Sequence, residues 1–208
     1  MQQLGLRLTN RDIEILKFIN EFGFCEISHI SRRFNLKRPR NYQVIKRLIN
    51  AGFIKHERIF YGRPGIYKLT IDGSNLTTLP PISKVPLSVY EHNLKLIDLY
   101  ITLSEKHQNL EWMSERQLKH DKFKDGVGQT GHICDGIMVF PDGKKIAIEL
   151  ELSMKGERRL NQILKNYSMQ FEFNEIWYFC EKGLVGKIQK AAEKLSYIRV
   201  FSMEDIYQ

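Results

Sequence analysis

The chain has 208 residues, 42 % of them hydrophobic and 27 % charged, and a formal net charge of +8. That balance is globular and excludes a disordered chain. No apolar run approaches the roughly 18 residues of a membrane span, and no basic-then-apolar leader is visible, so a cytoplasmic protein with no membrane partner is expected. Cys25, Cys134 and Cys180 are odd in number and far apart, which suits reduced thiols rather than a disulfide framework or a thiolate zinc site.

The charge is unevenly divided. Residues 1–80 carry 14 Lys/Arg against 6 Asp/Glu, whereas residues 81–208 carry 18 of each. The asymmetry predicts an N-terminal module that meets a polyanion, joined to a neutral domain with another task.

Thr9 and Asp12 read as a capping box that opens a helix, with Ile13, Leu16 and Ile19 at helical spacing up to Gly23. A second helix is expected over 26–34 and a third over 39–51, with Pro39 in its first turn and Gly52 beyond its end. Val44, Ile45, Leu48 and Ile49 form the apolar stripe of the third helix; Arg38, Arg40, Asn41, Gln43, Lys46 and Arg47 form its polar face. The pattern then turns extended over 53–60 and 65–70, around Tyr61-Gly62-Arg63-Pro64. Three short helices followed by a hairpin with a basic tip make a winged helix-turn-helix. Arginine, asparagine and glutamine on the third helix can pair with base edges. Arg38, Lys46, Arg47 and the wing residue Arg63 can neutralise phosphates. Double-stranded DNA is the expected partner; a winged helix that binds only protein is the alternative.

Residues 74–88 hold three prolines and little periodicity and read as a linker, giving a winged helix over 1–73 and a second domain over 89–208. The second domain reads helix 88–106, strand 110–118, a basic loop 119–131, strands 133–140 and 145–152, helix 155–173, strand 176–180, helix 184–195 and strand 198–201. This is a mixed α/β (α+β) sandwich. Trp112, Trp177 and Tyr178 read as core or sheet residues.

In Lys145-Ile-Ala-Ile-Glu149-Leu-Glu151-Leu, the two glutamates share one face of a strand. The turn at Asp142-Gly143 makes a hairpin. Pairing Val139 with Lys145 sets Asp135 opposite Glu149; pairing Phe140 with Ile146 sets it opposite Glu151. Either way three carboxylates crowd one face and repel unless a cation is present. A hard ion such as Mg²⁺ or Mn²⁺ suits oxygen ligands of this kind. A solvated sheet face is the plainer alternative.

Asp135, thirteen intervening residues and Glu149-x-Glu151, in an α-β-β-β-α-β order, resemble the PD-(D/E)XK restriction-endonuclease-like fold. The run from Cys134 to Lys155, followed by Arg158-Arg159 and Tyr167, is similar to the replication-relaxation / MobC-type plasmid mobilisation family, which pairs a winged helix with such a domain. The resemblance implies a DNA-binding protein of a plasmid or conjugative element that binds origin DNA and nicks it as a metal-dependent endonuclease. It equally admits a non-catalytic regulator or accessory whose second domain dimerises or meets a relaxase or replication protein. It implies that Asp135, Glu149 and Glu151 hold the metal, completed by Glu91 or Asp98 from the first helix or by Glu115. Lys155 would orient or deprotonate the attacking water. Cys134 stands where the motif has proline and Glu151 where it has lysine. A third reading, a ligand-responsive repressor, predicts a sizeable apolar pocket instead. No His-x-His or His-Glu-x-x-His pattern supports a two-histidine relaxase or a zinc protease.

Overall fold

The structure is a computed structural model that describes residues 7–124, 132–153 and 156–206. The chain forms two compact units, Met1–Ile101 and Thr102–Gln208.

In the first unit, α1 (Asn10–Phe22), β1 (Cys25–Glu26), α2 (Ile27–Arg33), α3 (Arg40–Asn50), β2 (Ile54–Glu57), β3 (Ile66–Leu69) and the one-turn α4 (Ile71–Ser74) follow in order. The strands form an antiparallel sheet in the order β1-β3-β2. Three helices with a small sheet whose last hairpin projects as a wing is the winged-helix arrangement. Its core is the apolar face of α1 (Ile15, Leu16, Ile19), Ile30 of α2, and Val44, Ile45 and Leu48 of α3. The strands are shorter than their apolar patterns suggest, so residues 58–65 form a longer wing tip.

Thr9 caps α1 as its sequence predicts. The Thr9 backbone N–H donates to Asp12 Oδ2 at 2.8 Å, and the Asp12 N–H donates to Thr9 Oγ1 at 3.3 Å. Asp12 is only 1 % exposed because its other oxygen accepts from Arg47 of α3. One carboxylate thus closes the first turn of α1 and ties it to the third helix.

The proline-rich segment 74–88 belongs to the first unit and is not a linker. Buried Asn20 donates its amide to Thr77 Oγ1 and to the Leu79 carbonyl, both at 2.5 Å. Ile82 and Val85 pack on a core of Phe24, Ile66 and Tyr90. A buried amide needs partners, and this segment supplies them to α1. The division of the chain falls later, between Ile101 and Thr102, within α5 (Tyr90–Lys106). The early part of α5 packs in the first unit: Tyr90 stacks on Phe24 at 5.4 Å, and Tyr100 lies 5.2 Å from Phe22. Leu87 sits in a 3-10 turn and is exposed.

In the second unit, β4 (Glu111–Ser114), β5 (Gly136–Val139), β6 (Lys145–Glu151), β7 (Glu175–Cys180) and β8 (Ile198–Ser202) form one sheet in that order. The first three are antiparallel, and β6, β7 and β8 are parallel. Between the parallel strands run α7 (Glu157–Tyr167) and α8 (Val185–Ala192), which pack Leu160, Ile163, Leu164 and Ile188 on Ala147, Ile176 and Tyr178. A short α9 (Met203–Ile206) closes the described chain. Two expectations change. Residues 115–124 form a helix, α6 (Glu115–Lys124), where strand and loop were expected, because Ser114 Oγ accepts from the Gln117 N–H and starts the turn. The helix expected to reach residue 173 ends at Tyr167, and Phe171 is 94 % exposed. Gly136 lets the Trp112 indole lie against β5, since a β-carbon there would fall 2.2 Å from the ring. Among the described residues, no helix is long and apolar enough to cross a membrane.

The Asp12 carboxyl is subject to burial, which raises its pKa, but the Thr9 hydrogen bonds and the Arg47 charge prevail and hold it below its ordinary 3.8. A depressed carboxylate stabilises the fold above the unfolded value and loses that contribution as pH falls through the folded one. Asp12→Ala is expected to lower stability by about 2–4 kcal/mol near neutral pH. Urea unfolding across pH should show the deficit shrinking in acid below 3.8.

Candidate nucleic-acid interface

Of the predicted base- and phosphate-facing residues, Arg38, Arg40, Gln43 and Lys46 are exposed at the start and along the outer face of α3. Their positions follow from helical spacing, since the stripe Val44, Ile45 and Leu48 turns inward and leaves 40, 43 and 46 outside. Arg38 donates from Nη2 to the Tyr42 hydroxyl at 3.0 Å, and its guanidinium lies 5.2 Å from the ring centroid. Tyr42, 40 % exposed in the first turn of α3, is a surface residue that charge and amide counting passed over. A tyrosine two residues after Arg40 and four after Arg38 was the available signal.

Three predicted contacts have other work. Asn41 is buried; its amide donates to Ser31 Oγ at 2.8 Å and joins α3 to α2. Arg47 is committed to Asp12. Arg63, at the wing tip, pairs with Glu91 and lies over the Phe60 ring. Glu91, in the first turn of α5, is therefore the partner of the wing within the first unit. Asp98 also lies in the first unit, 3.4 Å from His29 Nε2. Glu115 opens α6 and pairs with Lys119 at 2.6 Å.

In the second unit, Val139 pairs with Lys145, the register that sets Asp135 beside Glu149. Glu149 and Glu151 do share a face, but α7 and α8 cover it, leaving them 7 % and 8 % exposed. Asp135 acts as a stitch: its N–H donates to the Ile148 carbonyl, its carbonyl accepts from the Glu115 N–H, and its Oδ2 accepts from the Leu150 N–H at 2.8 Å. Glu149 Oε1 accepts from the Tyr167 hydroxyl and lies 2.6 Å from His132 Nε2. His132 and Tyr167 are partners that strand alternation alone does not reveal. Lys155 lies outside the described residues.

Burial pushes the Glu149 carboxyl above its ordinary 4.5, helped by the nearby Asp135 charge and opposed by His132 and Tyr167. Burial likewise raises the Cys134 thiol, with Glu149 and Asp135 adding to it, so it is no thiolate nucleophile. A cage for Mg²⁺ or Mn²⁺ needs several ionised oxygens turned to one point. Glu149 and Asp135 are engaged with protein donors, and among the described residues no three His, Cys, Asp or Glu side chains form a metal-holding group.

No protein-family model matches the chain. No curated protein matches it. Among solved structures, it is similar to the adhesin competence repressor (AdcR) of Streptococcus pyogenes at 17 % identity and TM-score 0.31, over 57 % of this chain and 78 % of that one. It is also similar to a cysteine-to-serine mutant of Lactococcus lactis ZitR in complex with DNA, at 18 % identity and TM-score 0.32, over 60 % and 76 %. Likeness at this level carries no argument about function, which rests on the geometry above.

Raising a carboxyl pKa on folding makes its ionisation a cost that grows as pH rises above the unfolded value. Glu149→Gln, which keeps an acceptor for Tyr167, is therefore expected to gain melting temperature relative to the parent between about pH 4 and about pH 7. Differential scanning calorimetry at the two values measures it.

Proposed function

We propose that the chain is a double-stranded-DNA-binding protein that lays the N-terminal half of α3 in the major groove and its wing along the adjoining backbone. The supporting observation is the outer face of α3. Arg38, Arg40, Gln43 and Lys46 stand exposed on a helix held by buried contacts through Asn41 and Arg47. Residues at the start of a recognition helix reach base edges, and arginine and glutamine carry the donor geometry to read them. The excess of basic residues in 1–80 supplies the attraction to phosphate.

For the second unit, the bonding of Glu149 and Asp135 favours the non-catalytic reading over a metal-dependent nickase. On that reading, the unit of a plasmid or conjugative-element protein serves as an accessory platform for a second copy, a relaxase or a replication protein. Calorimetric titration of Mn²⁺ is expected to give no heat that Glu149→Gln or Asp135→Ala abolishes; such a heat, with nicking of supercoiled plasmid, would restore the nuclease reading.

The DNA reading has a direct test in the salt dependence of duplex binding. Arg40→Ala and Lys46→Ala are each expected to weaken binding and to flatten the slope of log K against log salt by about 0.9. Arg47→Ala is expected to lose thermal stability first, because it leaves Asp12 buried and unpaired. Unchanged affinity and slope in both surface variants would overturn the assignment of α3.

A further inference from the structure

The wing carries an aromatic side chain that nothing in the first unit uses. Tyr61 is 100 % exposed at the tip of the β2–β3 hairpin. The residues on either side of it are fastened down. Phe60 meets Tyr90 edge-on at 5.1 Å, and Tyr90 is buried against Phe24. Arg63 lies 5.7 Å over the Phe60 ring and pairs with Glu91 in the first turn of α5. Between them Gly62 takes φ +75°, a left-handed conformation that favours glycine and reverses the chain directly after Tyr61. The wing tip is thus a braced platform, and Tyr61 is the aromatic group it presents to solvent.

Deepening the DNA-docking reading on which it rests, we infer that Tyr61 is the wing's DNA-contacting residue and that Arg63 is its intramolecular anchor. The ring packs on deoxyribose and base edges in the minor groove beside the major-groove site of α3. Charge counting assigns the wing's contribution to Arg63 and phosphate, but that guanidinium already has a carboxylate and a ring as partners. A large ring held fully in water gains most from a flat apolar surface. Aromatic contacts to nucleotides tolerate many sequences because every base and sugar offers such a face. Bracing the tip lowers the ordering cost of the contact.

An ionic and a non-ionic contact separate cleanly by salt. The experiment is a fluorescence-anisotropy titration of a labelled mixed-sequence duplex with the full chain over a series of salt concentrations, using the parent, Tyr61→Ala, Tyr61→Phe and Arg40→Ala. Tyr61→Ala is expected to bind about ten-fold more weakly at every salt concentration, with the slope of log K against log salt unchanged. Tyr61→Phe should retain parental affinity, since the ring makes the contact. Full exposure of the side chain means that melting temperature should not move in either variant. The inference is overturned if Tyr61→Ala binds like the parent, if its loss comes with a flatter slope, or if Tyr61→Phe is as weak as Tyr61→Ala. Binding that depends on Arg40 but ignores Tyr61 would reject this inference alone. A parent that binds no duplex at any salt would reject the DNA reading as well.

Discussion

The placement of α3 in the first unit depends on one buried carboxylate. Asp12 sits in the first turn of α1, where it completes the cap with Thr9, and its other oxygen takes the guanidinium of Arg47 from α3. A charge so far from water persists only if its partners replace the lost solvation. Here they are two donors from Thr9 and one from arginine. The pairing fixes the approach of α3 to α1, and Asn41 fixes α3 to α2 through Ser31. With those two polar ties and the stripe Val44, Ile45 and Leu48 turned inward, the direction of Arg40, Gln43 and Lys46 is settled before any ligand arrives.

The second unit treats the same chemistry in the opposite way. Glu149 is also buried, but it has a tyrosine hydroxyl and a histidine ring for partners where Asp12 has a guanidinium. Burial therefore wins at Glu149 and raises its pKa, while hydrogen bonds and a full positive charge win at Asp12 and lower it. Burial is the larger influence at Glu149, where the Asp135 charge adds to it, whereas at Asp12 the Thr9 hydrogen bonds and the Arg47 charge outweigh it. One carboxylate is kept ionised as a structural tie; the other is driven towards its neutral form beneath α7.

Much of the first unit was legible in the sequence. The Thr9/Asp12 cap, the inward stripe of α3, the hairpin turn at Gly62 and the order of elements all follow from local rules of spacing and backbone freedom. The roles of polar residues were less legible. Arg47 and Asn41 share the polar side of a helical wheel with Lys46 and Gln43, yet they face neighbouring helices. A wheel shows which residues lie together and not what stands opposite them. Segment 74–88 misled in the same way: its prolines rule out regular structure, but a segment without regular structure can still supply hydrogen bonds to a buried Asn20 and apolar side chains to a core.

For the carboxylates, alternation on β6 placed Glu149 and Glu151 on one face, and the hairpin turn limited Asp135 to two registers. Tertiary structure chose the register through the pairing of Val139 with Lys145. It also decided what covers that face. Helices α7 and α8 reach it only because β6, β7 and β8 run parallel, which forces each connection to cross back over the sheet. The sequence by itself determined which residues share a helix stripe or a strand face, because those periodicities are local properties of the backbone. Only tertiary structure decided which of them meet a partner inside the protein and which remain exposed, because that depends on elements far apart in the chain.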